Sequence, residues 1–501
     1  MAKHEKPRET TLTLPARSSV VVTAILLVVL LVFWGFLIST QLVPPLYLGL
    51  GILASLGLTG CVLLLTWKLS HRVRRVVGFV LAGILLVGCV LGGLALWRFV
   101  QTVRQVTDTS VERSVLAFYV EEDSSVTTLN ELDGKALGIL TELDRPNTDE
   151  TLQKVEEDHN LSFSLEEYEG LAQLADGLRK GQVEGILLNQ AFLPLYEELS
   201  GYEDFSQELR EISVQEVEHV MEHTSAGVPE SKETEQESSQ EPLENPVVTV
   251  LISGSDTRGS VIDQRGRSDV NIIARINRET HKILLVSTPR DFYVPLAFSW
   301  GNPEDKLTHA GIYGMDVLMG TLENLYDTQI DYYFRINFTG FTEIIDALGG
   351  IEVTSDYDFT AGGNEYHVGT NYLNGEEALA FARERYSFSD GDRQRGRNQM
   401  AVIEGVVQKA MSPSILTGYL GILESVQDCV DTSVPYDLIA EMVRLQLSEN
   451  AQWEIESYSV NGSDASGYTY SMTQKLYVMM PDQATVQTAK EKLAGISSSE
   501  A

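Results

Sequence analysis

PVVTVLISGSDTRG (246–259), GRSDVNIIARIN (266–277), LLVSTPRDF (284–292) and FARERYSFSDGDRQRGRNQ (381–399) decide the fold of this 501-residue chain. The first three are short apolar runs bounded by polar turns, the pattern of buried strands in one sheet. At or just beyond the ends of these segments stand Asp256, Arg267, Asp269, Arg290, Arg383, Arg385, Arg393, Arg395 and Arg397. Carboxylates and guanidiniums gathered in this way suit a metal-bound phosphate. Mg2+ takes one or two carboxylates and fills its shell with phosphate oxygens and water, which makes Asp256 and Asp269 candidate ligands. Arginine's planar fork grips phosphate bidentately and cannot lose its charge. Taken singly, an aspartate in a turn is commonly a cap and a run of charges is commonly just solvated. The set carries the reading, not any one member.

Around these segments strands and helices alternate. GMDVLMGTLENLY and FTEIIDALGG read as helices, the second stopped by glycine, with DYYFRIN and IEVTSDYDF as strands. LNGEEALAFARERY opens with Asn374 as N-cap and Glu377 three residues on, a capping box, with Ala378, Leu379, Phe381 and Ala382 as its apolar side. Arg393, Arg395 and Arg397 are expected in a Gly/Asp loop, with a helix starting at Arg397. We expect this α/β domain to span residues 246–489, followed by a frayed tail, 490–501. No P-loop, GxSxG elbow or HExxH spacing is present, and His309 and His367 read as structural, so phosphoryl transfer by positioning and charge stabilisation is the chemistry left.

Three apolar, uncharged segments lie near the N-terminus: Ser19 to Ser39, Leu46 to Trp67 and Val76 to Trp97. Each is long enough to cross ~30 Å of hydrocarbon as a helix. Trp34, Trp67 and Trp97 suit interfacial anchoring. Lys3, Lys6, Arg8 and Arg17 precede the first span, and Lys68, Arg72, Arg74 and Arg75 fill the second loop. By the positive-inside rule, residues 1–18 form a cytoplasmic tail, residues 19–105 the three transmembrane helices, and everything beyond lies outside the cell. Residues 106–223 read as a small accessory α/β domain that resembles half of an extracellular solute-binding protein. Residues 224–245, rich in Glu, Ser and Gln, read as an acidic linker.

The formal charge of −34 excludes a nucleic-acid binder that works by general basicity. Of 37 basic and 71 acidic residues, ten and two fall in residues 1–105, which leaves 27 and 69 in the remainder. Five arginines between Arg383 and Arg397 run against that acidic background. With Cys61 and Cys89 inside apolar stretches, only Cys429 is left in the polar part, so no disulfide framework is available.

From SGSDTRG through STPRDFYV, FTGFTEIIDALGGIEV and LNGEEALAFARERY to GDRQRGRNQ, the chain resembles the LytR-CpsA-Psr family of Gram-positive and related bacteria. The three spans and the extra domain are similar to its capsule-associated, CpsA-like branch. The resemblance implies a central mixed sheet between helices, an α-β-α domain, with an apolar pocket for a polyprenyl diphosphate carrier. It implies transfer of a glycopolymer, with capsular polysaccharide expected, from that carrier to a muramic-acid hydroxyl of peptidoglycan through a phosphodiester link, in the plasma membrane of a Gram-positive bacterium. Carried over by motif, Asp256 and Asp269 would hold Mg2+, with Mn2+ the other candidate. Arg267, Arg290, Arg383, Arg385 and Arg395 would act on the diphosphate, with Arg258, Arg393 and Gln399 binding it. Asp291 and Asp392 are the candidate general bases. Other capsule-assembly proteins are candidate partners. A polyprenyl-diphosphate phosphatase and a non-catalytic scaffold of capsule assembly are the competing readings.

The orientation has a direct test. Protease added to intact protoplasts should cut within residues 224–245 and leave residues 1–105 in the membrane; protection of that linker would reverse the orientation.

Overall fold

A computed structural model describes residues 14–67, 72–107, 111–220, 245–255, 262, 265–389, 391–410 and 428–496. The chain forms two compact units, Met1–Arg104 with Pro435–Ala451, and Gln105–Val434 with Gln452–Ala501. In the first, α1 (Leu14–Ser39), α2 (Pro45–Trp67) and α3 (Arg72–Thr107) are long and apolar enough to cross a membrane. With no polar face to show water, they meet one another through small residues and hydroxyls. Ser19 Oγ donates to the Thr66 carbonyl at 3.0 Å, and Trp34 Nε1 donates to Ser55 Oγ at 3.1 Å. A Cβ at Gly51 would meet the Trp34 ring at 2.3 Å. Trp34 therefore packs between α1 and α2. The helix Tyr436–Glu449 also belongs to this unit: the Tyr436 hydroxyl donates to the Thr40 carbonyl at 2.9 Å and the Arg104 guanidinium lies 5.6 Å from its ring centre. The expected domain 246–489 is thus interrupted.

In the second unit, β1 (Val111–Glu121), β2 (Ala136–Leu140), β3 (Ser164–Tyr168), β4 (Gly185–Asn189) and β5 (Leu209–Val220) form a sheet in the order β3-β2-β4-β1-β5. The helices α4 (Arg145–His159) and α5 (Leu171–Arg179) pack on it. Alternation along β1 sends Leu116, Phe118 and Val120 to one core and Ala117 and Tyr119 to another. The second core also takes in Ile312, Met472 and Leu476 from far along the chain, so the accessory domain shares apolar interior with the domain that follows.

That following domain holds a six-stranded mixed sheet. β6 (Val247–Gly254), β7 (Val270–Asn277) and β8 (Lys282–Ser287) come first, then a hairpin of β9 (Tyr293–Pro295) and β10 (Glu304–Lys306), then β11 (Tyr332–Ile336). After two small ladders, β12 (Ile351–Ser355) with β15 (Gly369–Leu373) and β13 (Phe359–Ala361) with β14 (Asn364–Tyr366), come β16 (Val430–Thr432) and β17 (Glu454–Ser459). The central order is β16-β11-β6-β7-β8-β17, followed in sequence by the hairpin β18 (Gly462–Thr469) and β19 (Met472–Pro481). Ile273, Leu284 and Val286 face a core closed by helices Met315–Tyr326 and Gln483–Gly495, while Ile272, Ile283 and Leu285 face Met400 of helix Asp392–Ala410. The sheet therefore lies between helical layers, the α-β-α arrangement expected.

Some local expectations hold and two change. The capping box forms as read, with the Glu377 amide donating to Asn374 Oδ1 and the Asn374 amide to Glu377 Oε2, both at 2.9 Å. Helix Phe338–Ala347 stops before Gly349 and Gly350, whose φ of 74° and 86° suit only glycine. The helix expected at Arg397 begins at Asp392, because one turn earlier Gln394 and Asn398 already find a buried face. The last helix runs to Gly495, held by buried Leu493, beyond the expected frayed end at 489. Residues 224–244 of the expected linker lie outside the described residues.

Gly375, first residue of the capped helix, sits so close to Thr342 that a Cβ would meet its carbonyl oxygen at 2.3 Å. Backbone cannot yield as a flexible side chain does, so Gly375→Ala should destabilise this unit by about 1–3 kcal/mol, read as a lower unfolding temperature.

Candidate functional site

Asp269, Arg290, Arg393 and Arg395 converge where β6, β8 and β17 end and β7 begins, the carboxyl edge of an α/β sheet, where such folds place ligands. Arg335, wholly buried in β11, reaches up and donates to the Gly266 carbonyl at 2.8 Å. The Gly266 amide donates to the Gly311 carbonyl at 3.1 Å and the Ser268 amide to that of Thr308 at 3.0 Å. These bonds hold the GRSD turn against the helical turn Leu307–Ala310. The Asp269 amide then donates to the Gly254 carbonyl at 2.8 Å, which ties Asp269 to the end of β6.

Asp269 and Arg290 pair directly, Oδ2 to Nη1 at 2.7 Å, while Thr308 Oγ1 donates to Asp269 Oδ1 at 3.0 Å. Both line an open cleft with about 420 Å³ of empty space, together with Arg393, Arg395 and Gln399. Arg395 and Gln399, four apart on one helix, share a face. Arg393 also reaches the hairpin, donating to the Gly462 carbonyl at 2.6 Å. Arg267 is close by but turned to other partners. The structure does not bring Arg383 and Arg385 to the cleft lining: Arg383 stacks 4.6 Å above the Phe338 ring and Arg385 4.6 Å above that of Tyr386. Their planar cations find aromatic faces near the end of a helix that stops at Arg383. Asp256 and Arg258 lie outside the described residues, as does the side chain of Asp392.

Behind the cleft lies a set of charges that sequence reading missed. Glu198, on the accessory domain, sits 2.7 Å from Lys306 Nζ, 3.4 Å from Arg267 Nη1, and 3.7 Å from both Arg290 Nη2 and His309 Nε2. Burial alone would raise its pKa, but His309 and Lys306 hold it well below the usual carboxylate range. Asp291, a candidate base, lies 3.3 Å from Lys306 Nζ and so serves as an ion-pair partner here. His309 is fully buried, its Nδ1 2.7 Å from Asp305 Oδ1 and 2.8 Å from Ser471 Oγ. Burial would strip its proton, yet the Asp305 and Glu198 carboxylates outweigh burial and raise its pKa to about 9. The alternating charges of EDKLTH (304–309) could have hinted at this network. Nothing marks Glu198 among so many acidic residues.

A second charged contact joins the same two domains. Arg265 Nε lies 3.0 Å from Glu112 Oε2, and the Met315 amide donates to Glu112 Oε1 at 3.1 Å.

As for a metal, Asp269 offers a carboxylate and the cleft offers further oxygen donors, a hard set that suits Mg2+. No group of three or more His, Cys, Asp or Glu side chains able to hold an ion occurs among the described residues. Gly254, two residues before Asp256, is the residue bonded to Asp269.

The sign of the His309 shift sets a pH dependence. A pKa raised from 6.5 to about 9 contributes stability that is full below 6.5 and lost as pH rises through 9. The unfolding temperature should therefore fall across that window, and His309→Gln, less stable at pH 6, should flatten the profile.

Residues 214–494, more than half of the chain, match the LytR_cpsA_psr family. Among curated relatives, the polyisoprenyl-teichoic acid–peptidoglycan teichoic acid transferase TagU of Bacillus cereus (strain AH820) is 37% identical over 196 residues, 39% of this chain and 63% of that protein. The protein of the same name from Enterococcus faecalis (strain ATCC 700802 / V583) is 37% identical over 190 residues, 38% of this chain and 62% of its own length. The chain thus spans less than two thirds of these relatives. The crystal structure of B. subtilis TagV aligns at 26% identity and a TM-score of 0.43, covering 50% of this chain and 97% of that one. Matched over the greater part of its length, the chain belongs to the LytR-CpsA-Psr family.

Proposed function

We propose that this protein transfers a glycopolymer from a polyprenyl diphosphate carrier to peptidoglycan, forming a phosphodiester link. The observation that carries the proposal is the 2.7 Å Asp269–Arg290 pair at a cleft also lined by Arg393, Arg395 and Gln399. Cations converging on an open cleft suit a diphosphate, and the names of the relatives support the same reaction class. We place the outer domains outside the cell, where carrier and wall are both within reach.

In the reaction a wall hydroxyl attacks the glycan-bearing phosphorus and gives up its proton to water, the bond from that phosphorus to the bridging oxygen breaks, and polyprenyl monophosphate leaves with the bond's electron pair. Bound by Asp269 and Asp256, Mg2+ would neutralise phosphate charge and polarise the phosphorus. Arg290, Arg393 and Arg395 orient the diphosphate and meet the charge that develops on the leaving oxygen, and Gln399 donates a hydrogen bond. Arg383 and Arg385, away from the cleft lining, are assigned to lipid or acceptor contacts at its approaches. Capsular polysaccharide is our choice of polymer, on the three spans and the extra domain; the relatives' names specify teichoic acid.

The test mixes the full-length protein in detergent with lipid-diphosphate-linked glycan, peptidoglycan fragments and Mg2+, with capsular and teichoic glycans in parallel. Mass spectrometry should find a phosphodiester adduct, and Arg290→Ala should lower its rate by roughly 100-fold or more. Released glycan phosphate without adduct would make the protein a phosphatase; lipid bound but unchanged would make it a scaffold.

A further inference from the structure

The accessory domain contributes a side chain to the site of the domain that follows it. Glu198 ends a helical segment, Gln190–Glu198, that leaves the carboxyl end of β4. Its place is set by its neighbours. Asn189 caps the segment by accepting from the Ala191 amide at 3.0 Å, and Leu195, Tyr196 and Leu199 are fully buried. The Tyr196 hydroxyl donates to the Leu171 carbonyl at 3.0 Å. Glu197 points outward with 61% of its side chain exposed, whereas Glu198 turns inward with 15%. A segment pinned on both sides of a residue presents it at a fixed position. This is not a loose strap.

The partners of Glu198 are the residues that face the cleft or stand beside it. Arg290 offers Nη1 to Asp269 and Nη2 toward Glu198, so its fork is spanned between two carboxylates, one from each domain. Arg267 turns to Glu198 at 3.4 Å, and Lys306 closes on it at 2.7 Å. Glu198 is not among the residues that line the cleft, whereas Arg290 is. The carboxylate therefore stands behind the arginine and leaves the anion's own place open.

We infer that Glu198 is a positioning residue for the diphosphate site: the accessory domain holds Arg290 in the orientation that grips the lipid-linked diphosphate. This rests on the transferase reading for the identity of the ligand. Its electrostatic consequence separates it from a bland alternative. Removing a negative charge near an anion site should tighten anion binding by Coulomb's law alone, whereas removing a positioning group should weaken it.

The experiment measures calorimetric affinity of the full-length protein in detergent for geranyl diphosphate with Mg2+, alongside kcat and KM for glycan transfer. Glu198→Gln should weaken binding and raise KM by about ten- to a hundredfold, the scale of a misplaced binding group. Glu198→Asp, which keeps the charge but shortens the reach, should recover part of the loss, and Glu166→Gln on the exposed strand β3 should change neither. If Glu198→Gln does not fold, as its unfolding temperature would reveal, the Asp variant decides, with a several-fold loss expected. Unchanged or tighter binding overturns the inference, tighter binding making the carboxylate a competitor of the anion. A wild type that binds geranyl diphosphate but transfers no glycan fails the transferase reading and leaves the affinity comparison standing.

Discussion

Buried cations and carboxylates pair in the space between the two outer domains. Among the described residues, Arg267, Arg290, Lys306 and protonated His309 face Glu198, Asp269, Asp291 and Asp305. Charges so little exposed are tolerated only in company, because each one stripped of its partner retains the full cost of desolvation. The pairing crosses from one domain to the other: these four cations belong to the domain that follows the linker, and Glu198 belongs to the accessory domain. The shared apolar core around Ile312, Met472 and Leu476 holds the two surfaces close enough for that exchange.

The same edge of the sheet that collects these charges also collects the cleft. β8 and β17 run parallel and end together at Ser287 and Ser459, so the segments after them, Thr288 to Arg290 and Val460 to Asn461, leave the sheet side by side. The helix from Asp392 adds Arg393, Arg395 and Gln399 to that opening. Positioned this way, the charged side chains hang from strand ends and a helix face. Rigid elements of this kind keep a site in register better than loops do.

Much of the fold was legible because it is local. The apolar run of β7, the capping box at Asn374 and Glu377, and the glycines after Ala347 each specify structure within a few residues. Asp269, Arg290, Arg393 and Arg395 could be singled out for the same reason, since strand ends and charge patterns are visible along the chain, whereas Gln399 came only with the family resemblance. What escaped is long-range. Arg335 reads as an interruption in an apolar strand until its guanidinium is seen beneath Gly266, and Glu198 looks like any acid in a polar stretch until it is seen among four cations. Arg383 and Arg385 follow the same charge pattern as Arg395. Only packing separates them, because their helix ends beside Phe338 and Tyr386 and away from the cleft.

The hydrogen bond from Tyr436 to the carbonyl of Thr40 joins positions 396 residues apart within a single unit. The entropy of closing so long a loop grows only with the logarithm of its length, so equilibrium stability suffers little. Biosynthesis is affected far more. The ribosome makes the apolar helices long before the segment that completes their bundle. A product truncated by a nonsense or frameshift mutation would carry all three apolar helices and still lack the ring against which Arg104 rests. Such a chain differs from the finished protein at the membrane itself, where surveillance proteases first meet it.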